Sequence, residues 1–271
     1  TPPNRGGEMR NIALANQKGG VAKTTTTVNL GACLAELGKR VLLIDLDPQA
    51  NLTSWMGIEQ KGLEKSIYNV LLGETKIEEV LKDSKVKGLW LAPSTVELAG
   101  AERLLANEVG REIILKQKLS HLVESYDYIL LDCPPSLGLI TINALTAVRE
   151  VFIPVETKIL ALNGLVTLVS TINLVKERLN PLLEVTGIIP CMYDGRTNLS
   201  REVVEQLRAR FGSKVFHTAI RENIRLAECP ISGLPIHLYA PGSPGAQDYM
   251  NLAKEVIQTE TQTHADSRPQ E

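Results

Sequence analysis

The sequence has no apolar run long enough to span a membrane, which takes about 18 to 20 residues. Its first residues also lack the apolar segment of a secretory signal peptide. We therefore expect a cytoplasmic protein that does not enter the membrane. The cysteines lie far apart and show no C-x-x-C spacing, which favours buried, reduced thiols over disulfides or a metal site. They are Cys33, Cys133, Cys191 and Cys229.

An excess of charge of either sign is also lacking, because the formal net charge of the 271 residues is −2. Any binding to a polyanion must therefore come from a local patch. Internal repeats are absent, and biased composition is confined to the two ends. We expect residues 1–8 to form a disordered leader and residues 259–271 a polar, disordered tail, which leaves residues 9–258 as one domain.

Short apolar runs without period-two alternation predict buried strands of a parallel sheet. They cover residues 12–15, 41–44, 89–92, 128–131 and 151–155, with a sixth at 185–189 and a candidate seventh at 214–217. Predicted helices alternate with them over residues 23–37, 97–123, 140–147, 163–178, 199–211 and 246–257. The alternation predicts an α/β fold with a doubly wound, mostly parallel sheet flanked by helices, which binds ligands beyond the carboxyl ends of its strands.

A glycine-rich loop over residues 16–25 follows the first predicted strand and opens the first helix. This is the context of a phosphate-binding loop. Gly19 and Gly20 permit a tight path with inward-pointing amides, and the helix N-terminus adds partial positive charge. We expect Lys23 to reach the β- and γ-phosphates of a nucleotide and the Thr24 hydroxyl to coordinate Mg²⁺.

The loop departs from the usual G-x-x-x-x-G-K-[ST] pattern, because Gln17 and Ala22 replace its glycines. It also has an additional lysine, Lys18, five residues before Lys23. The Ala22 methyl group is tolerated if the backbone there suits alanine, and it weakens nucleotide binding if φ is positive. We favour retained binding, since every charged or hydroxylated ligand of the loop is present; a loop deficient in binding or hydrolysis is the alternative.

Acidic residues end two later predicted strands. Asp45 and Asp47, in the run D-L-D-P-Q-A-N, are well placed to act on metal-bound or attacking water. Capping of the following helix is the alternative role for both. Asp132, in the run L-L-D-C-P-P, has the Walker B form, in which a rigid strand holds a carboxylate that binds Mg²⁺ through its water shell.

Together these three elements resemble the ParA/MinD family of deviant Walker A ATPases, which are P-loop NTPases with K-G-G-x-G-K-[ST], D-x-D-P-Q-x-N and D-x-P-P motifs. The resemblance implies that Lys18 crosses a dimer interface to the partner's nucleotide, that Asp47 orients the hydrolytic water, and that Asp45 supports the Mg²⁺ shell. It also implies a set of residues that contact ATP: Lys18, Gly19, Gly20, Val21, Ala22, Lys23, Thr24 and Thr25.

Residues 192–200 and 220–230 look like stretches of the ParA/Soj chromosome and plasmid partition branch. This resemblance implies a slow ATPase that forms a sandwich homodimer with ATP and Mg²⁺, associates with the nucleoid, and releases DNA on hydrolysis. It further implies a ParB-type centromere-binding partner that stimulates hydrolysis. Met192 and Pro230 are the expected contacts at the adenine.

Residues 196–225 have a local excess of positive charge, with seven basic side chains against three acidic ones. Such a patch predicts salt-sensitive binding to nonspecific double-stranded DNA. The candidate contacts are Arg196, Arg221 and Arg225, and a solvated helix face is the alternative. Residues 259–271 have no apolar face and no basic cluster, so we do not expect membrane recruitment through them.

Three further functions remain open for this fold. The first is a MinD-like ATPase that positions a protein cargo, and the second is a scaffold that binds nucleotide without hydrolysing it. The third is a small-molecule phosphotransferase or ligase, which would need an acceptor pocket and would not need Lys18 across a dimer.

Overall fold

The computed structural model describes residues 9–122, 124–158 and 161–266. The expected leader at residues 1–8 and the last five residues of the chain lie outside this part. Within it the strands form one sheet of seven, in the order β3-β4-β2-β5-β1-β6-β7. They are β1 (Arg10–Leu14), β2 (Val41–Asp45), β3 (Lys82–Asp83), β4 (Leu89–Ala92), β5 (Tyr128–Asp132), β6 (Glu150–Glu156) and β7 (Glu184–Cys191).

Helices connect the strands and cover both faces of the sheet. They are α1 (Lys23–Glu36), α2 (Asn51–Trp55), α3 (Ile67–Leu71), α4 (Leu98–Leu105), α5 (Ile114–Leu119), α6 (Leu139–Ala147), α7 (Ala161–Arg178), α8 (Asn198–Phe211), α9 (Ile224–Ser232), α10 (Ile236–Tyr239) and α11 (Pro244–Asp266). Short 3₁₀ helices occupy Ile77–Glu79, Ser120–Leu122 and Gly212–Lys214.

The core consists of two apolar layers, one on each side of the sheet. Neighbouring residues of a strand point to opposite faces, so Ile12 of β1 joins one layer and Ala13 joins the other. Apolar residues from α3 to α8 complete the first layer, and those from α1, α2 and α9 to α11 complete the second. Burial on both faces explains why the strands lack alternation, and it confirms the predicted doubly wound α/β fold.

The predicted seventh strand at residues 214–217 is wrong. Its apolar residues, Val215 and Phe216, are buried, but the segment makes only an isolated bridge from Val215 to Ile188 after a 3₁₀ turn. The seventh strand is instead β3, an exposed polar edge of two residues that pairs antiparallel with β4. Polar composition concealed it, because an edge strand needs no apolar face.

Two helix boundaries also differ from the prediction. The single helix expected over residues 97–123 is broken between α4 and α5, where Gly110 has a φ of +72° that a helix does not accommodate. At the other end, α11 continues to Asp266, past the start of the expected disordered tail. The extension is anchored because Arg10 donates a hydrogen bond to the Thr259 hydroxyl at 3.0 Å and Lys39 pairs with Glu260.

Candidate nucleotide site

Three chain segments meet at the carboxyl ends of neighbouring strands. The loop after β1 leads into α1, while β2 and β5 end in Asp45 and Asp132. These two aspartates are partners in the strand register, and Leu14 of β1 pairs with Asp132 on its other side. The sheet therefore brings together residues separated by more than a hundred positions, as the βαβ topology predicts.

The loop after β1 follows a conformation that glycine favours. Gly20 has a φ of +74°, and a side chain added at Gly19 or Gly20 would meet no atom within 4 Å. Both backbones are thus open to a large ligand. Ala22, the residue before α1, has φ 68° and ψ 27°, which is the left-handed region. The backbone at Ala22 therefore has the positive φ at which a methyl group is strained.

Lys18 is held by its own chain. Its Nζ lies 2.6 Å from Oε2 of Glu156 at the end of β6, while the second oxygen of Glu156 pairs with Lys158. Burial raises the pKa of Glu156, but hydrogen bonds from Lys158 and Lys18 outweigh this and lower it. The Lys18 side chain is 47 % exposed, so it remains accessible from outside the monomer.

Lys23 lies inside the loop, only 8 % exposed. Its Nζ donates to the backbone carbonyl of Lys18 at 3.2 Å. Burial lowers the pKa of Lys23, and the neighbouring charge of Asp132 opposes this shift. Among the residues that the structure describes, this carbonyl is the only hydrogen-bond partner of the buried ammonium group, which is therefore suited to binding an anion.

Asp132 is buried between the loop and the strands. Its Oδ2 accepts a hydrogen bond from the Thr24 hydroxyl at 2.6 Å, and its Oδ1 accepts one from the Thr27 hydroxyl at 3.3 Å. Burial and the nearby charge of Asp45 raise the pKa of Asp132 to about 8. The ionised carboxylates of Asp132 and Asp45 disfavour each other in this buried site, and a bound cation would stabilise both of them.

Asp45 and Asp47 have different surroundings. Asp45 is fully buried, and burial raises its pKa to about 6. It accepts a hydrogen bond from the amide of Thr53 in α2, so the capping role holds in part for Asp45. Asp47 is half-buried, and within the described part of the chain it accepts a hydrogen bond only from the amide of Gln49, in its own turn. Its carboxylate is therefore available to a ligand.

The donor set fits Mg²⁺. Thr24, Asp45 and Asp132 present a hydroxyl and two carboxylates, which are hard oxygen ligands. No group of three His, Cys, Asp or Glu side chains forms a metal cluster in the part of the chain that the structure describes. Mg²⁺ typically binds through one or two carboxylates together with substrate phosphates, so this partial set suits a nucleotide-dependent magnesium site.

A cavity of about 550 Å³ opens beside the loop. Ala22, Thr25 and Met192 line it, together with Asn223 and Tyr249, whereas Pro230 does not. The expected adenine contact at Pro230 is thus not supported: the first turn of α9 faces the cavity, and Pro230 is exposed two turns later. Sequence reasoning missed Asn223, whose only local signal is its position before a helix, where it caps the amide of Arg225.

The three candidate DNA-contact arginines are each paired with an acid of the same chain. Arg196 pairs with Asp194 and Arg225 with Glu228, both at 2.9 Å. Arg221 makes a bidentate contact to an aspartate of α11, Asp248, which is only 8 % exposed. The local charge count missed these acids because they lie outside residues 196–225. The patch is therefore less positive than its sequence indicates.

Within the described residues, every helix is too short or too polar to span a bilayer.

A family model described as "AAA domain" matches residues 9–185. The chain is 50 % identical to the sporulation initiation inhibitor protein Soj of Bacillus subtilis, over 90 % of this chain and 97 % of that protein. It is 49 % identical to the chromosome-partitioning ATPase Soj of Thermus thermophilus, over 92 % and 96 %.

A solved structure has the same fold. It is described as cobyrinic acid a,c-diamide synthase from Mycobacterium smegmatis with bound ADP and magnesium, at a TM-score of 0.81 and 38 % identity. The match covers 92 % of this chain and 94 % of that one. The ADP and magnesium bound in that structure are the kinds of ligand that suit the phosphate loop and the carboxylate oxygens at the carboxyl edge of this sheet.

Proposed function

Since this chain belongs to the ParA/Soj family of chromosome-partitioning ATPases, we propose that it is a partition switch whose ATP-bound dimer binds nonspecific DNA. Hydrolysis, stimulated by a ParB-type partner, releases the DNA. The observation that supports this most directly is the meeting of the deviant loop with Asp45, Asp47 and Asp132 at one edge of the sheet. The dimer, the partner and association with the nucleoid are part of the proposal.

Each loop residue has a role in this reaction. The backbone amides of Gly19 and Gly20 and the ammonium group of Lys23 bind the phosphates, and Ala22 and Met192 enclose the base and sugar in the adjoining cavity. Thr24, Asp132 and Asp45 would hold Mg²⁺, which when bound supplies positive charge to the phosphate oxygens. Asp47 orients the water for in-line attack. Its carboxylate is available for this role, because it accepts a local hydrogen bond from the amide of Gln49 and keeps capacity for a water molecule.

Lys18 provides the dependence on the dimer. In the monomer its ammonium group neutralises Glu156, so it must leave that carboxylate to reach a partner's phosphates. Lys158 stays on the other oxygen of Glu156 and continues to compensate its charge when Lys18 departs. The exchange is therefore feasible without leaving a buried carboxylate unpaired.

The paired arginines rank as DNA contacts by how easily they exchange an acid for a phosphate. Arg196 and Arg225 make exposed pairs with acids two and three residues away, which contribute little stability. Arg221 makes a bidentate pair with a nearly buried aspartate, and leaving that aspartate alone is costly. We propose that Arg196 and Arg225 contact phosphates and that Arg221 mainly holds α11 in place.

The test is DNA binding and dimer formation with ATP, with ADP and without nucleotide, at two salt concentrations. We expect both to require ATP. Lys18→Ala abolishes dimer formation, and Lys158→Ala weakens it, because Glu156 is then left unpaired when Lys18 moves to the partner's phosphates. Arg196→Ala and Arg225→Ala weaken DNA binding and flatten its salt dependence, with Arg103→Ala on α4 as an exposed control.

Other outcomes would contradict the proposal. DNA binding that ignores the nucleotide would refute the switch. Unchanged affinity in both arginine variants would refute the patch. A protein that binds no DNA in any state would favour a metabolite-directed enzyme, as the name of the solved neighbour suggests for that protein, or an ATPase that positions a protein cargo.

A further inference from the structure

One buried side chain of α2 connects the nucleotide site to a loop outside it. Thr53 is fully buried, and its hydroxyl lies 2.6 Å from Oδ2 of Asp45. The amide of Thr53 donates to the same oxygen at 2.9 Å. Oδ2 of Asp45 thus accepts two hydrogen bonds from a single residue.

The direction of the hydroxyl proton is fixed by a third contact. The amide of Ser94, in the loop between β4 and α4, donates to Oγ1 of Thr53 at 2.9 Å. Because an amide only donates, the hydroxyl accepts from Ser94 and directs its own proton to Asp45. The chain of bonds runs from Ser94 through Thr53 to the carboxylate, and every member is fully buried.

These bonds give the two carboxylate oxygens of Asp45 different numbers of hydrogen-bond partners. A carboxylate oxygen accepts about two hydrogen bonds, so Thr53 saturates Oδ2. Among the described residues, Oδ1 accepts a hydrogen bond only from the amide of Asp47, at 3.1 Å, and retains capacity for one more partner. The oxygen left for a metal-bound water is therefore selected by the residue that occupies the other one.

We propose that Thr53 is a positioning residue for the magnesium site: it holds Asp45 in the orientation that leaves Oδ1 free, and it links that carboxylate to the loop after β4. The inference rests on the proposed function, because it needs Asp45 to act on Mg²⁺. It assigns a role to a residue beyond the D-x-D-P-Q-x-N element. Groups that orient the ligands of a metal commonly change its affinity about 10- to 100-fold when they are removed.

The test is the affinity for a fluorescent ATP analogue, measured with Mg²⁺ and with EDTA. We expect Thr53→Val to lose about 10- to 100-fold in affinity with Mg²⁺ and to keep wild-type affinity in EDTA. Thr53→Ser restores the hydroxyl and recovers most of the loss. Thr146→Val is the matched control, because Thr146 is also buried and its hydroxyl donates to the carbonyl of Ile142 in its own helix.

A double-mutant cycle separates positioning from damage to the fold. In an Asp45→Ala background, Thr53→Val should cause no further loss of affinity with Mg²⁺, since there is no carboxylate to orient. Wild-type affinity in Thr53→Val, an equal loss with and without Mg²⁺, or an additive double variant would each overturn the role of Thr53. If Mg²⁺ fails to strengthen nucleotide binding in the wild-type protein, the proposed function fails too, and the wild-type measurement distinguishes that result.

Discussion

Gly187 lies where the sheet has no room for a side chain, so its replacement by alanine tests the packing directly. In the register of β6 and β7 it is opposite Phe152. A Cβ added there would lie 2.5 Å from Cδ1 of Phe152 and 2.5 Å from Cε2 of Phe216. Both rings are buried, and they contact each other edge to face at a centroid distance of 5.2 Å.

The magnitude follows from these distances. Carbon atoms in contact prefer about 3.5 to 4.0 Å, so the new methyl group overlaps each ring by about 1 Å or more. Overpacking of a core lowers the free energy of unfolding by about 1 to 3 kcal/mol. Because the new methyl group clashes on two sides, we expect Gly187→Ala to lose about 3 kcal/mol. For a domain of this size that lowers Tm by about 6 to 12 °C.

The assay is urea and thermal unfolding of the variant beside a matched control. Gly100→Ala adds a methyl group in α4 that meets no atom within 4 Å, so we expect it to stabilise the protein by about 0.5 to 1 kcal/mol. Phe216→Leu in the Gly187→Ala background should recover part of the loss, because it removes one of the two clashes. A loss below about 1 kcal/mol, or no recovery with leucine, would refute the reasoning.

Two further predictions concern Ala22 and His237. Ala22→Gly should raise the free energy of unfolding by about 0.5 to 1 kcal/mol, since relief of about 1 to 2 kcal/mol of left-handed strain exceeds the entropy cost of glycine; urea unfolding measures this, and a less stable variant contradicts it. Both ring nitrogens of His237 are buried and have no hydrogen-bond partner among the described residues, and burial lowers its pKa against a weaker opposing effect of Glu36. The unfolded chain therefore takes up the proton first as the pH falls below about 6.5, and stability falls with it. His237→Leu should lose less stability between about pH 7.5 and pH 5.5 than the wild type does, and equal losses would show that His237 does not contribute.

The strands that end at the candidate nucleotide site were predictable, because burial on both faces leaves a continuous apolar run in the sequence. β2 and β5 end in Asp45 and Asp132, and each aspartate comes directly after an apolar run in the sequence. The family assignment, confirmed by the comparisons, came from the same local patterns. β3 was not predictable, because a two-residue polar edge strand has no apolar signal.

Local sequence patterns were enough to predict the fold class, the phosphate loop and the acids that end β2 and β5. These features follow from neighbours along the chain: apolar runs, glycine positions and residues at strand ends. The partners of those groups became known from the folded chain. Lys18 meets Glu156, Thr53 orients Asp45, and Arg221 is neutralised by Asp248, each across a loop or strand that local patterns do not bridge. Charge and hydrogen bonding act through space, so their balance is set only when distant segments pack together.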